Sequence, residues 1–397
     1  MTSPLFASSL STHANAEEAI REASEAIERG LQGRAPDLLV CFVSHHHGSV
    51  FDDFGPRLQA ATGAEHVFGC TGERLIGSER ETGEEPALSL WAMSAPDAQL
   101  TPIDVTASQS TGNSVEFNTY PVVDTQKNPF LILLGDPFSF PMAPYLEELN
   151  QRVPGLPVIG AMASGGLGAG QNLLFREHRT DHEGAIGLLI EGGVELHPAV
   201  SQGCRPVGRP HVITRTEGNL LVSLGGKPAA RVLHTTMSEI SEADQELLRN
   251  GPALGLAVDP LKSVFERGDF LLRGIIGHRP EDDALAIADT SLRVGMTVQF
   301  LVRDSDSAGE DLTALAKMGA EGHDPSATGA LIFSCNGRGP KMFGCDNHDI
   351  DCVQAAFDKP IPAAGFFAMG EIGPVGKQNF LHGFTASVGI IRAADNS

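Results

Sequence analysis

No stretch of this 397-residue chain approaches the about 18 consecutive apolar residues that a membrane-crossing helix needs; runs such as Phe130 to Leu134 are of strand length. The sequence therefore predicts no bilayer span. Basic side chains are scarce, 28 against 50 acidic ones for a net charge of −22, which argues against binding nucleic acid or an anionic membrane surface. There are only six cysteines and no C-x-x-C pair, so a disulfide framework is not expected and the cysteines read as reduced thiols. The opening MTSPLFASSLSTHANA lacks a basic n-region and is interrupted by serines, which predicts no secretory signal and a cytoplasmic location. Charged residues make up only 20% of the chain against 41% hydrophobic, too apolar a balance for disorder. The 45 glycines and 25 prolines follow no G-x-y period. They punctuate apolar runs as turns do.

What is present is a pattern that returns. After an amphipathic helix, NAEEAIREASEAIERGL with Asn15 as its N-cap, the apolar run DLLVCFVS reads as a buried strand. A helical segment DDFGPRLQAATG, a second strand entering a glycine loop (EHVFGCTGERLIG) and a third strand (ALSLWAMS) follow. The same order recurs as FLILLGDPF, a helix around APYLEELNQRV, LPVIGAMASGGLGAG and AIGLLIEGG, and again as GALIFSCNGRG, a helix around HDIDCVQAAFD, IPAAGFFAMGEIGPVG and HGFTASVGII. Gly69, Gly160 and Gly365 hold one place in the three copies, each followed by a further glycine, Gly72, Gly165 and Gly370. Glycine there serves either a turn or a close backbone approach. The expectation is an α/β (α+β) fold of two domains, built from repeated β-α-β-β units with mixed sheets flanked by helices. Residues from about 200 to 325 carry separate hairpin and strand signals and read as joined to the third copy.

Three strings, LIFSCNGRGPKMFG, PAAGFFAMGEIGPVG and NFLHGFTASVGII, resemble the C-terminal FIST domain, named for F-box and intracellular signal transduction proteins. VFGCTGERLIG and VIGAMASGG resemble the N-terminal FIST domain. The resemblance runs from about Pro36 onward and divides the chain into an N-terminal helix (1–35), an N-terminal domain (36–228) and a C-terminal domain (229–397). The boundary between 200 and 230 stays open, because the hairpin there can pack on either half. The resemblance implies a sensory module for a small molecule, with amino acids as proposed ligands, acting in intracellular signal transduction. No kinase, methyl-accepting, cyclic-nucleotide or F-box segment is found in the sequence, so the output is expected through a signalling partner protein or a homo-oligomer interface. Arg74 departs from the pattern, standing where a small residue is expected.

Cys335, Asn336, Gly337 and Arg338 follow a buried strand and should emerge at its C-terminal edge, where α/β crevices lie. Arg338 offers a fork for a carboxylate and Asn336 both a donor and an acceptor. Gly370 and Glu371, across the same unit, would supply backbone N–H groups and an acid for an ammonium group. Asn379, which sits in the last family-like string, completes the expected ligand set. Pairing of Arg338 with Glu371 across the loops is an equal reading. Cys335 and Cys70 are the candidate nucleophiles, with His348 and His382 as conceivable bases for Cys335. This leaves two alternatives to a sensor: a cysteine enzyme, and an adaptor that recognises protein without a small ligand. Cys345-x2-His348-x3-Cys352 has zinc-type ligands, but Cys352 falls on an apolar helix face. His45, His46 and His47, if extended, point to alternate sides. The Gly165 to Gly170 loop leads into no helix, which argues against a phosphate cradle. No metal and no cofactor is expected.

Overall fold

The computed structural model describes residues 3–109, 115–259, 262, 265, 268–289 and 291–394. The chain divides into two units, one comprising residues 1–200, 312–381 and 385–397, the other 201–311 and 382–384. The range 229–397, read from the sequence as one domain, thus draws on both. The third copy groups with the first two and not with the segment before it.

The three copies of the first unit share one design. In the first, an opening strand (Leu38–Val43) leads through a helix (Phe54–Thr62) to a middle strand (His66–Thr71) and on to a closing strand (Leu88–Ser94). The second uses Phe130–Gly135, helix Met142–Arg152, Val158–Met162 and Ala185–Glu191. The third uses Thr328–Cys335, helices Pro340–Phe343 and His348–Gln354, Ala363–Ala368 and Ala386–Ala393. In every copy the opening strand runs parallel to the middle strand and antiparallel to the closing strand. All six opening and middle strands are almost wholly buried. That is why they read as continuous apolar runs with no alternation.

The recurrent glycines lie within the middle strands. Gly69, Gly160 and Gly365 face Cys41, Leu133 and Ile332 of the opening strands. A Cβ on any of them would fall 1.8 Å from the carbonyl oxygen of that partner. Close approach, and not a turn, is what requires glycine here. The other edge of each middle strand is filled by a strand borrowed from another copy. Leu75–Ile76 of the first copy pairs with the third, Ile76 against Gly365. Leu174–Arg176 of the second pairs with the first, Phe175 against Gly69. Glu371–Val375 of the third pairs with the second, Ile372 against Gly160. The exchange closes a ring, and all three borrowed strands meet the recurrent glycine in the same register.

The shared core follows from this exchange. Phe42 of the first copy lies 6.0 Å from Phe333 and 4.9 Å from Phe366 of the third, ring centre to ring centre. Leu134 and Ile159 of the second copy belong to the same cluster. The N-terminal helix, Ala16–Gly30, is capped by Asn15, whose side chain accepts from the N–H of Glu18. Its buried face of Ala19, Ile20, Ala23 and Ile27 packs with Leu39, Cys41 and Val43. Ahead of it, Leu5–Ser11 pairs antiparallel with Leu88–Ser94, a strand the sequence reading passes over. The second unit holds a seven-stranded sheet, from the long strand Cys204–Glu217 to Lys227–Pro228, around a core including Leu221, Leu254, Ile287 and Phe300. It also carries the helices Ala229–Glu239 and Glu242–Asn250. Among the described residues no helix is long and apolar enough to cross a membrane.

The glycine geometry makes a direct prediction. Gly365→Ala should destabilise the protein by at least about 3 kcal/mol in urea unfolding, because overpacking alone costs 1–3 and here the obstacle is backbone. Gly155→Ala, with nothing within 4 Å of its Cβ and a φ of +82°, should cost only about 1 kcal/mol.

Candidate functional site

The C-terminal ends of the third copy's opening and middle strands bring most of the expected residues together. Cys335 ends the opening strand opposite Ala368, and its N–H donates to the carbonyl of Thr385 at 2.9 Å. A turn then follows, in which the N–H of Arg338 donates back to the carbonyl of Cys335 at 2.8 Å and that of Asn336 to Ala368 at 3.0 Å. Gly339, at φ +100°, and Pro340 end the turn and start the short helix Pro340–Phe343.

Arg338 is buried, at 2% exposure, and its partner is Asp349, not Glu371. Nε donates to Oδ2 at 2.8 Å and Nη2 to Oδ1 at 2.7 Å, a two-pronged fork. Ser334 donates to the same Oδ2 at 2.6 Å, and His348 Nδ1 stands 2.9 Å from Oδ1. Burial pushes the Asp349 carboxyl up, but the Arg338 charge and hydrogen bonds outweigh it and hold the group well below the usual carboxylate range. For His348 burial disfavours the charged form, yet hydrogen bonds to Asp349 and Cys352 raise it to about 9. The helix carrying Asp349 is fastened from the first copy. Glu81 Oε1 accepts from the N–H groups of Asp349 at 2.8 Å and Ile350 at 3.2 Å, while Asn347 Oδ1 accepts from the N–H of Glu81. Burial and then the charge of Asp349 raise Glu81 to about 7. Arg74 also crosses over. Its Nη2 donates to the Arg338 carbonyl at 3.1 Å, and its guanidinium lies 3.8 Å over the Phe367 ring. The large residue in the first glycine loop therefore supports the third copy's site.

Glu371 opens the borrowed strand and is fully buried, behind Gly370 at φ +141°. In register, it pairs with Ala161, just as Leu75 pairs with Phe366 and Leu174 with Cys70. Two copies thus carry leucine at this place and the third a carboxyl. Its Oε2 accepts from the N–H of Thr385 at 3.2 Å, and the Cys335 thiol hydrogen-bonds the same group. Burial raises Glu371 well above 4.5, against the downward pull of Thr385, Cys335 and Arg338. Glu371 Oε1, Arg338 Nη1 and Asn336 Oδ1 are buried and have no hydrogen-bond partner among the described residues. Such atoms are costly to leave unpaired.

The other expected residues fall elsewhere. Asn379 is buried, and its side-chain amide is committed to structure: Oδ1 accepts from the N–H of Val158, and Nδ2 donates to Asn150 Oδ1 and the Leu156 carbonyl. Cys70 is a fully buried residue within a middle strand, where burial pushes its thiol well above 9.0, and buried thiols of this kind are inert. His348 is engaged with Asp349 and, through Nε2 at 3.9 Å, with Cys352 Sγ. His382 falls with the second unit. The His45 to His47 run forms the start of a 3-10 helix, with His45 Nε2 2.8 Å from the Gln171 carbonyl and His46 Nδ1 3.3 Å from Ser44 Oγ. Among the described residues no group of three or more His, Cys, Asp or Glu is arranged to hold a metal ion. Asp349 and Glu81 were missed in the sequence. Asp349 stood in view as the first-turn acid of a helix eleven residues after Arg338; nothing local marks Glu81.

The chain matches the family profile described as FIST N domain over residues 37–227 and that described as FIST C domain over residues 229–374. An uncharacterized protein of Mycobacterium tuberculosis strain H37Rv is 35% identical over 381 residues, covering 96% of this chain and 98% of its own. An uncharacterized protein of Mycobacterium bovis is also 35% identical over 381 residues, covering 96% of each.

The burial of Glu371 has a pH signature. A carboxyl raised in the fold contributes stability that is full below its unfolded value near 4.5 and is lost as pH rises through the folded value. Glu371→Gln keeps an acceptor for Thr385 and cannot ionise. Its stability relative to the wild type should therefore grow between pH 5 and pH 9, measured by urea unfolding at each pH.

Proposed function

The chain belongs to the FIST family, whose domains are associated with signal transduction and sensing, and on that premise we propose that it binds a small amino-acid-like molecule at the edge formed by Asn336, Gly337, Arg338, Gly370 and Glu371. The observation that carries this reading is the trio of buried, unpartnered atoms at adjoining strand ends: Arg338 Nη1, Glu371 Oε1 and Asn336 Oδ1. Two of them belong to the almost wholly buried side chains of Arg338 and Glu371. A carboxylate would take the remaining Arg338 N–H groups, and an ammonium group would take Glu371. Asp349 holds the guanidinium in place, so little ordering is left to the ligand. Occupancy would be passed to a signalling partner through the loops that bind it.

Because burial favours the protonated form of Glu371, binding of an ammonium group there displaces a proton, and affinity should rise with pH. A thermal-shift screen against the common amino acids and small carboxylates tests the reading. A ligand at a hundred times its dissociation constant adds about 2.7 kcal/mol, a shift of several degrees in a protein of this size. Glu371→Gln should abolish both the shift and its pH dependence, and Arg338→Lys, which keeps the charge for Asp349 but loses the fork, should weaken it. Absence of a shift with every compound would overturn the ligand reading and favour an adaptor that recognises protein alone.

A further inference from the structure

The same edge holds one group that ligand binding leaves unused. Cys335 carries a thiol with no disulfide and is half-exposed, whereas Glu371 and Arg338 beside it are buried. The thiol hydrogen-bonds the Glu371 carboxyl, lies within electrostatic reach of the Arg338 guanidinium, and accepts from the N–H of Gly337 at 3.4 Å. The internal repeats mark this as a specialisation. The residue that follows the opening strand in register with Cys335 is Ser44 in the first copy and Asp136 in the second, and the place of Glu371 is taken by Leu75 and Leu174. A thiol facing a buried acid occurs at this edge in the third copy alone.

We infer that Cys335 is a nucleophile that accepts a small acyl group from an ester or thioester, with Glu371 as the base and Arg338 as the oxyanion donor. The ionised fraction of Glu371 takes the S–H proton as the sulfur attacks the carbonyl carbon. The C–S bond forms and the carbonyl π pair moves onto oxygen, where the open Nη1–H bonds of Arg338 receive it. That pair returns, the bond to the leaving group breaks, and the departing alcohol or thiol takes the proton from Glu371. The products are an acyl thioester on Cys335 and the free leaving group. Burial, by raising Glu371, brings it nearer to a thiol in proton affinity, which favours the transfer. Asp349 takes Nε and Nη2 of Arg338 and fixes its fork, so Nη1 keeps its two hydrogens unpaired among the described residues.

This inference rests on the same cluster of residues as the proposed function but not on its ligand, so the probe is an uncharged acyl donor, para-nitrophenyl acetate, applied to the full chain. Cys345 is exposed and serves as an ordinary thiol within the same molecule. Acetylation mapped by peptide mass should reach Cys335 about tenfold or more faster than Cys345, with one nitrophenolate released per chain in the first turnover, since a positioned base contributes 10² or more. In Glu371→Gln the Cys335 rate should fall to that of Cys345. If Cys345 in the wild type reacts as fast as Cys335 or faster, the nucleophile is disproved without recourse to any variant. If Glu371→Gln, folded by circular dichroism, leaves the Cys335 rate unchanged, the assignment of the base is overturned. The thermal-shift screen reads non-covalent binding, so either idea can fail while the other stands.

Discussion

The first unit depends on a place where a strand has neighbours on both edges and no room for a side chain. At Gly69, Gly160 and Gly365 the backbone of a middle strand comes so near the opening strand that a Cβ would meet a carbonyl oxygen, and a strand from another copy lies on the other edge. Backbone hydrogen bonding is thereby completed on both sides of every middle strand, as buried peptide groups require. The aromatic cluster of Phe42, Phe333 and Phe366 fills the space that this pairing encloses.

On that apolar frame the polar groups of the third copy stand in contrast. Asp349 and Arg338 are both buried, but each offsets the other, with Ser334 and His348 taking further positions on the carboxylate. Glu371 has no such counter-ion bonded to it among the described residues, and burial raises it well above the usual carboxylate range. Removal of two charges from water is repaid only where geometry is close, and the fold supplies that geometry to one acid and withholds it from the other. An acid raised in this way stands closer in proton affinity to an ammonium group or a thiol than a solvated carboxyl does.

Much of this was legible in the residues. The opening and middle strands could be read because parallel strands buried on both faces become unbroken apolar strings, and the recurrence of glycine in them survived the divergence of everything around it. The edge formed by Cys335, Arg338 and Glu371 could be placed because each follows such a string closely. The strand exchange could not be read, since Leu75–Ile76 is two residues long and its partner lies almost three hundred residues away. The same distance hid Glu81, whose role as a cap depends on a helix it approaches only after folding. The partner of Arg338 was misjudged for a simpler cause. Glu371 was the acid in a family-like string, whereas Asp349 occupied the first turn of a helix, where acids are common for reasons of local stability. Leu5–Ser11, LFASSLS, lies at a sheet edge and shows neither a continuous apolar run nor a regular alternation, so its letters carry little sign of a strand.

The borrowed strands also settle a question of stoichiometry. A single β-α-β-β repeat, made as its own polypeptide, would have one open edge beside its middle strand and one strand with nothing to pair with. It could satisfy both only in the company of two more chains, each lending a strand to the next. The first unit is such a trimer carried on one chain, with covalent continuity in place of mass action. Within one chain the three repeats need not be identical, and the third carries a carboxyl where the other two carry leucine while all three keep the ring closed.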